Sequence, residues 1–113
     1  MALVSILSAL AMLNSGPVVQ VVDYSTAAQC AGLTQAASEL EGGESRYGRT
    51  LADAALFWTL TAFQAAATQG IPYATAETDQ RLARVQSVRQ LSANEAKTQR
   101  ELQVCRQKTP SLD

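Results

Sequence analysis

The cysteines Cys30 and Cys105 are the side chains of this sequence with the most definite chemistry, and they are its only two. An isolated, even pair of cysteines in an oxidising compartment usually forms one disulfide. Their spacing is not that of a C-x-x-C redox pair, and a zinc site needs four ligands where the chain has two cysteines and no histidine. We therefore expect a Cys30–Cys105 disulfide in an exported protein, and two ordinary buried thiols in a cytosolic one.

Paired carboxylates can carry out acid–base catalysis, and Glu39, Glu41 and Glu44 flank a glycine pair at 42–43. Nothing in the neighbouring sequence would bury these side chains, so we expect them to be solvated. The absence of histidine removes the commonest general base and metal ligand. No motif brings serine, lysine and tyrosine together as an activated nucleophile. The sequence therefore predicts a protein that is not an enzyme and that has no cofactor and no metal site.

Positive charge is spread too thinly to predict an anion site or a nucleic-acid site. The segment 42–49, GGESRYGR, carries three glycines and two arginines, but it lacks a phosphate-binding fingerprint and follows a helix rather than a strand. From Glu77 onward there are seven basic and five acidic residues, with no aromatic residue among them for base stacking. The formal net charge of −1 adds no general attraction for nucleic acid or anionic lipid. We predict a surface turn at 42–49 and no nucleic-acid partner.

Residues 1–22 carry no charge, and the run Ala2–Leu13 within them is apolar. Its twelve residues fall short of the roughly 20 that span a bilayer as a helix. Turn-forming residues and Gly16-Pro17 follow, a pattern typical of a secretory signal peptide, although no Lys or Arg precedes the apolar run. We predict a signal-peptide-like segment at 1–22 and export to the periplasm or the exterior. The alternative is an uncleaved segment that associates with the membrane.

The remaining residues, 23–113, predict one all-α domain, a small bundle of three or four helices. We expect the first helix to begin at Ser25 or Thr26, to end before the glycine pair, and to bury one face. A last helical region should extend from about residue 75 to residue 108. Within it, the sequence Ser-Ala-Asn-Glu at 92–95 fits a capping box. The region therefore either continues through this point, straight or kinked, or breaks into two helices, and a break would return the second cysteine toward the first.

The second helix should run over 44–69 and has two opposed apolar faces. Trp58 lies on one of these faces, and Leu56, Leu60 and Phe63 lie on the other. A helix that is apolar on opposite sides needs a neighbour on each side. We therefore expect this helix to be the centre of the domain.

Phe57 is a large aromatic residue on the polar strip of the second helix, which also holds Asp53 and Gln64. An aromatic ring among polar residues is typical of a binding hot spot, although a covering segment of the same chain is the commoner explanation. We predict a small exported protein of the cell envelope that acts by protein–protein interaction. Its surface for an envelope partner would be Asp53, Phe57 and Gln64. The alternatives are a carrier of a small apolar ligand between the helices and a membrane-anchored accessory subunit.

Overall fold

The computed structural model describes residues 22–111. In that range the chain forms four α-helices and no strand: α1 (Tyr24–Glu41), α2 (Arg46–Gln69), α3 (Tyr73–Ser92) and α4 (Ala96–Lys108). The predicted all-α fold is confirmed, with four helices. The prediction for residues 1–22 lies outside the described residues except for Val22. This residue packs against the main core, the buried cluster that includes Cys30, Leu33, Leu51, Trp58, Leu102 and Cys105. None of the four helices is long and apolar enough to cross a membrane.

Two side chains set the starts of α1 and α2. The Asp23 carboxylate accepts a hydrogen bond from the Thr26 backbone N–H at 3.4 Å, and the Ser45 hydroxyl accepts one from the Gly48 N–H at 2.9 Å. Each bond satisfies a backbone N–H that has no partner within its own helix. The caps are thus Asp23 and Ser45, so the first helix starts slightly before, and the second slightly after, its predicted start.

The chain reverses between α3 and α4 without a glycine or a proline. Asn94 adopts the left-handed backbone conformation, with a φ of 56°. The Asn94 N–H donates to the Leu91 carbonyl at 3.0 Å and the Glu95 N–H donates to the Gln90 carbonyl at 3.1 Å, the two bonds of a Schellman helix end. After glycine, asparagine is the residue that most readily adopts this conformation. Of the two predicted alternatives the break is observed, but the capping box is wrong because Ser92 belongs to the last turn of α3.

The helix at the centre of the bundle is α1, which packs mainly against α2 and α3. Its buried residues, including Ala27, Leu33 and Ala36, point in different directions around the helix. The single buried face predicted for α1 is therefore wrong. The central position predicted for α2 is also wrong, since Leu56 and Leu60 of α2 are 60% and 55% exposed. The small alanine side chains of α1 let two neighbours approach it closely. No described helix covers the outer side of α2.

The closest approach between two helices lies where Gly32 of α1 meets α3. A Cβ atom added at Gly32 would lie 2.5 Å from the Ala83 Cβ and 2.7 Å from the Arg84 backbone nitrogen. On α3, Ser87 is fully buried whereas Leu82 is 61% exposed. Small side chains bring the two backbones closer than leucine would, so α3 turns its leucine outward.

Replacing Gly32 with alanine should destabilise the fold by about 1–3 kcal/mol, because the added methyl group overpacks the contact between α1 and α3. Helix propensity alone would give the opposite sign, since alanine is favoured over glycine by roughly 1 kcal/mol inside a helix. Gly43→Ala is the control, because no atom lies within 4 Å of a Cβ added at Gly43. Urea unfolding of the two variants measures the difference. Equal free energies of unfolding would contradict the close approach of the two helices.

Candidate functional site

The predicted disulfide is present: Cys30 in α1 is bonded to Cys105 in α4, with Cα atoms 5.6 Å apart. Both cysteine side chains are buried. Trp58 of α2 extends this link, since its Nε1 donates to the Cys105 carbonyl at 3.2 Å and to the Thr109 hydroxyl at 2.9 Å. The reversal at Asn94 returns α4 to this position. Buried sulfurs of this kind stabilise a fold rather than react, so the pair is structural.

A second polar link joins α1 to α3. The Tyr24 hydroxyl donates a hydrogen bond to Oδ2 of Asp79 at 2.7 Å. Burial, followed by this hydrogen bond and by the negative charge of Asp79, raises the pKa of Tyr24 to about 12. The hydroxyl therefore stays protonated and acts as a donor at physiological pH. Like the disulfide, this pair holds helices together.

The predicted partner residues lie on one side of α2, but not all of them are at the surface. Asp53 and Gln64 are exposed. Phe57 is half-buried: it packs against the main core, and its ring meets the Trp58 ring edge to face, with centroids 5.1 Å apart. Packing against the same chain therefore covers part of Phe57. Only the exposed part of this ring is available to a partner.

Leu56 and Leu60 are surface residues of this region that the sequence analysis assigned to a buried face. They lie on the same side of α2 as Asp53 and Gln64, because spacings of three and four residues return to one face of a helix. Both leucines are more than half exposed. No residue from Ala54 to Ala76 carries a charge. This uncharged stretch is the feature of the sequence that indicates an apolar surface here. We call Asp53, Leu56, Leu60 and Gln64 the outer face of α2.

All four helices contribute to a cleft at the end of the bundle where α1 ends and α2 begins. Its volume is about 340 Å³. We call it the four-helix cleft, and its lining combines apolar and polar side chains. The apolar ones are Ala37, Leu40, Leu51, Leu91 and Leu102, and the polar ones are Glu41, Tyr47, Gln99, Gln103 and Arg106.

Arg106 is the residue of the four-helix cleft whose bonding is incomplete. Its guanidinium carbon lies 4.7 Å from the centre of the Tyr47 ring, a cation–π contact. Its Nε–H is buried and has no hydrogen-bond acceptor among the residues that the structure describes. Within residues 22–111, the ion pair joins Arg84 to Glu39 at 3.0 Å, so Arg106 has no carboxylate partner there. The Tyr47 ring therefore positions the guanidinium, and no described carboxylate forms an ion pair with it.

A wider groove runs between α1 and α4 beside the disulfide, with a volume of about 550 Å³. Leu33 and Val104 belong to its apolar lining, and Lys97, Arg100 and Glu101 are its charged residues. This groove and the four-helix cleft are both open to solvent. A binding pocket for a small apolar ligand usually buries most of the ligand surface. Neither opening has the shape of a closed carrier cavity.

The carboxylates around the predicted surface turn remain separate from one another. Glu39 pairs with an arginine of α3, Glu41 accepts a hydrogen bond from the Ser45 hydroxyl at 3.3 Å, and Glu44 is exposed. The expectation that these three side chains are solvated is confirmed. In the described part of the chain, no group of three or more Asp, Glu, Cys or His side chains is arranged to hold a metal ion.

The sequence matches no protein-family model, and no curated protein or solved structure is significantly similar to it. Two places combine exposure with unusual chemistry: the outer face of α2, which is apolar and uncharged at its centre, and the four-helix cleft around Arg106.

Proposed function

We propose that this chain is a small exported protein of the cell envelope that acts by protein–protein interaction. Three features of the chain support this function: the signal-peptide-like segment 1–22, the Cys30–Cys105 disulfide, and the outer face of α2. Disulfides persist in oxidising compartments, which include the periplasm and the exterior of the cell. The proposed partner is another protein of the envelope.

The exposure of Leu56 and Leu60 is the observation that carries the proposal. The two side chains are one helical turn apart, on a side of α2 that no described helix covers. A helix that docks into the groove of a partner presents apolar anchors at this spacing. The uncharged stretch from Ala54 to Ala76 suits such a contact, because the centre of an interface is depleted of charged residues. Tyr73, stacked on Phe63 with centroids 4.7 Å apart, extends the apolar surface past the end of α2.

The residues predicted from the sequence fit at the edge of this surface rather than at its centre. Asp53 and Gln64 are exposed at its two ends and would form a polar rim. The exposed part of Phe57 would add apolar area between them. The matching partner surface is an apolar groove or helix with a hydrogen-bond donor or a cation opposite Asp53.

A carrier of a small apolar ligand is the second candidate, and the groove between α1 and α4 favours it. We place it second because that groove is open to solvent along the surface. A membrane-anchored accessory subunit would use the same outer face of α2. It would differ from our first proposal in retaining residues 1–22.

Changing Leu56 and Leu60 together to aspartate should leave the fold intact and abolish the interaction. Substitutions at exposed positions usually change the free energy of unfolding by less than about 0.5 kcal/mol. An interface hot spot is worth about 2 kcal/mol or more per residue, roughly thirtyfold in affinity. A photo-cross-linking amino acid at Gln64 of the exported protein should capture the partner in intact envelopes. The cross-linked product should disappear in the double variant.

Leu82→Asp is the matched control, because Leu82 is 61% exposed and lies on α3. This variant should leave the cross-linked product unchanged. Circular dichroism should show the same helix content in all variants. Persistence of the product in the double variant, or its equal loss with Leu82→Asp, would show that the outer face of α2 is not the binding surface.

A further inference from the structure

We propose that the four-helix cleft binds a carboxylate carried by a small apolar group, and that Arg106 receives the carboxylate. This site shares no residue with the outer face of α2, so it goes beyond the interaction proposed above and does not depend on it. The bonding of Arg106, the lining of the cleft and the position of Glu41 carry the proposal.

The side chain of Arg106 is held in place, but one of its donors, the buried Nε–H, has no acceptor among the described residues. The Tyr47 ring fixes the guanidinium through a contact at 4.7 Å, while the buried Nε–H has no acceptor among residues 22–111. A buried donor without an acceptor is unfavourable, and most such groups in proteins have a partner. A guanidinium presents its N–H groups as a rigid planar fork that matches the two oxygens of a carboxylate. A carboxylate in the cleft would pair with the N–H groups of this fork that face the cleft, since the Nε–H itself is buried.

The rest of the lining suits an apolar body with a few polar atoms. Leu51 belongs to the main core, and Leu91 packs against that core. Gln99 and Gln103 precede Arg106 by seven and three residues on α4, so the three side chains follow one side of the helix. A volume of about 340 Å³ is at the small end of ligand pockets. The cleft would thus hold one apolar amino-acid residue with a free carboxyl group, or a short acyl chain.

Glu41 determines which anion the cleft prefers. Its Oε1 accepts a hydrogen bond from the Ser45 hydroxyl, and it forms no ion pair with Arg106. This carboxylate would repel a ligand with two negative charges, such as a phosphate monoester, more strongly than a singly charged one. A singly charged carboxylate can place its charge at Arg106 and its apolar part against the leucines. The arrangement of charge therefore favours a carboxylate over a phosphate.

NMR titration of the isotope-labelled protein with two matched pairs of probes tests the site. N-acetyl-leucine represents the carboxyl end of a peptide, hexanoate represents a free short-chain acid, and N-acetyl-leucinamide and hexanamide are their neutral counterparts. We expect the preferred acid to shift the amide resonances around Tyr47 and Gln103. It should bind about tenfold more tightly than its amide, the difference that one charge-assisted hydrogen bond provides. The acid that binds more tightly identifies the source of the carboxylate.

Variants of the charged residues connect this preference to the cleft. Arg106→Gln should remove the preference for the acid, and Arg106→Lys should keep part of it, since lysine retains the charge without the planar fork. Glu41→Gln should strengthen the binding of the acid because it removes a repelling charge. Arg100→Gln is the matched control, since Arg100 is exposed on the same helix and does not line the cleft. If Arg106→Gln fails to fold, the comparison of acid with amide on the unchanged protein still shows whether the cleft prefers a carboxylate.

Several results would overturn the proposal. One is that the amides bind as tightly as the acids. Another is that no probe shifts the resonances of the cleft at millimolar concentration. A folded Arg106→Gln variant that retains the full preference would assign the carboxylate to another residue. An effect of Arg100→Gln larger than that of Arg106→Gln would place the acid in the groove between α1 and α4, which Arg100 lines.

Discussion

Trp58→Ala is expected to lower the free energy of unfolding by about 3–5 kcal/mol, the usual cost of truncating a core aromatic residue. Trp58 is 1% exposed and lies in the main core with Leu33 and Leu51. Alanine leaves a cavity at this position. It also removes the N–H donor that bonds to the Cys105 carbonyl and to the Thr109 hydroxyl. Urea unfolding followed by circular dichroism measures the change.

Two further variants extend this test: one separates packing from hydrogen bonding at Trp58, and the other truncates the neighbouring ring of Phe57. Trp58→Phe keeps much of the ring but loses the N–H donor, and should lower the free energy of unfolding by about 1–2 kcal/mol. Phe57→Ala should have a smaller effect than Trp58→Ala, because Phe57 is half-buried. If Phe57→Ala is as destabilising as Trp58→Ala, Phe57 belongs to the core and its place in the predicted partner surface is wrong.

The helices of this chain could be predicted because their ends carry local signals. Gly70 ends α2 with a φ of 73°, and the Ile71 N–H donates to the Ala66 carbonyl at 2.8 Å, the kind of helix end that a glycine indicates. Asn94 gives the same signal between α3 and α4, but more weakly, since an L-residue adopts a positive φ less readily than glycine. That weakness is why the sequence left the break there open.

The central helix could not be predicted, because its position depends on contacts between segments distant in sequence. The residues that place α1 at the centre are small, among them Ala27, Ala36 and Gly32, and small residues contribute little to an apolar pattern. In the sequence, Leu56 and Leu60 belong to an apolar stripe as pronounced as the one on the buried face of α2. Periodicity alone does not show whether a neighbour is present. Positions where pattern and burial disagree are where function is expected, which is why the outer face of α2 supports the proposed interaction.

The four-helix cleft lay beyond sequence analysis for a related reason. Leu40, Tyr47, Leu91 and Arg106 belong to four different helices. They come together only because the chain reverses at Asn94. From sequence, Arg106 is one of several basic residues on a solvated helix. The fold distinguishes it from the others by placing the Tyr47 ring beside its guanidinium.

Removing the disulfide should have an effect comparable to the loss of Trp58. The bond joins residues separated by 75 positions. Closing a loop of that length restricts the unfolded chain and should stabilise the fold by about 4–5 kcal/mol. The double variant Cys30→Ala/Cys105→Ala should lose about this much in urea unfolding. Hydrogen exchange should show α4 losing protection first, because α4 packs less extensively on α1 than α2 and α3 do.

Reduction of the unchanged protein isolates the effect of the bond from that of the side chains. The reduced protein keeps both sulfur atoms and lacks only the bond between them. If the bond accounts for the stabilisation, the reduced protein should be about as stable as the double alanine variant. A reduced protein as stable as the oxidised one would mean that the disulfide does not hold α4. The hydrogen bonds from Trp58 to Cys105 and Thr109, with the contact between Arg106 and Tyr47, would then hold this end of the chain against α2.

The same bond also tests the proposed compartment. In protein isolated from the envelope and alkylated in denaturant without a reductant, neither cysteine should react, because oxidising compartments preserve such bonds. Mass spectrometry of this sample also identifies the N-terminus. A start downstream of Ala2–Leu13 is expected if the segment is removed as a signal peptide. Two reactive thiols on a chain that retains Met1 would contradict both export and the disulfide, since a protein kept in the reducing cytosol would hold Cys30 and Cys105 as separate buried thiols.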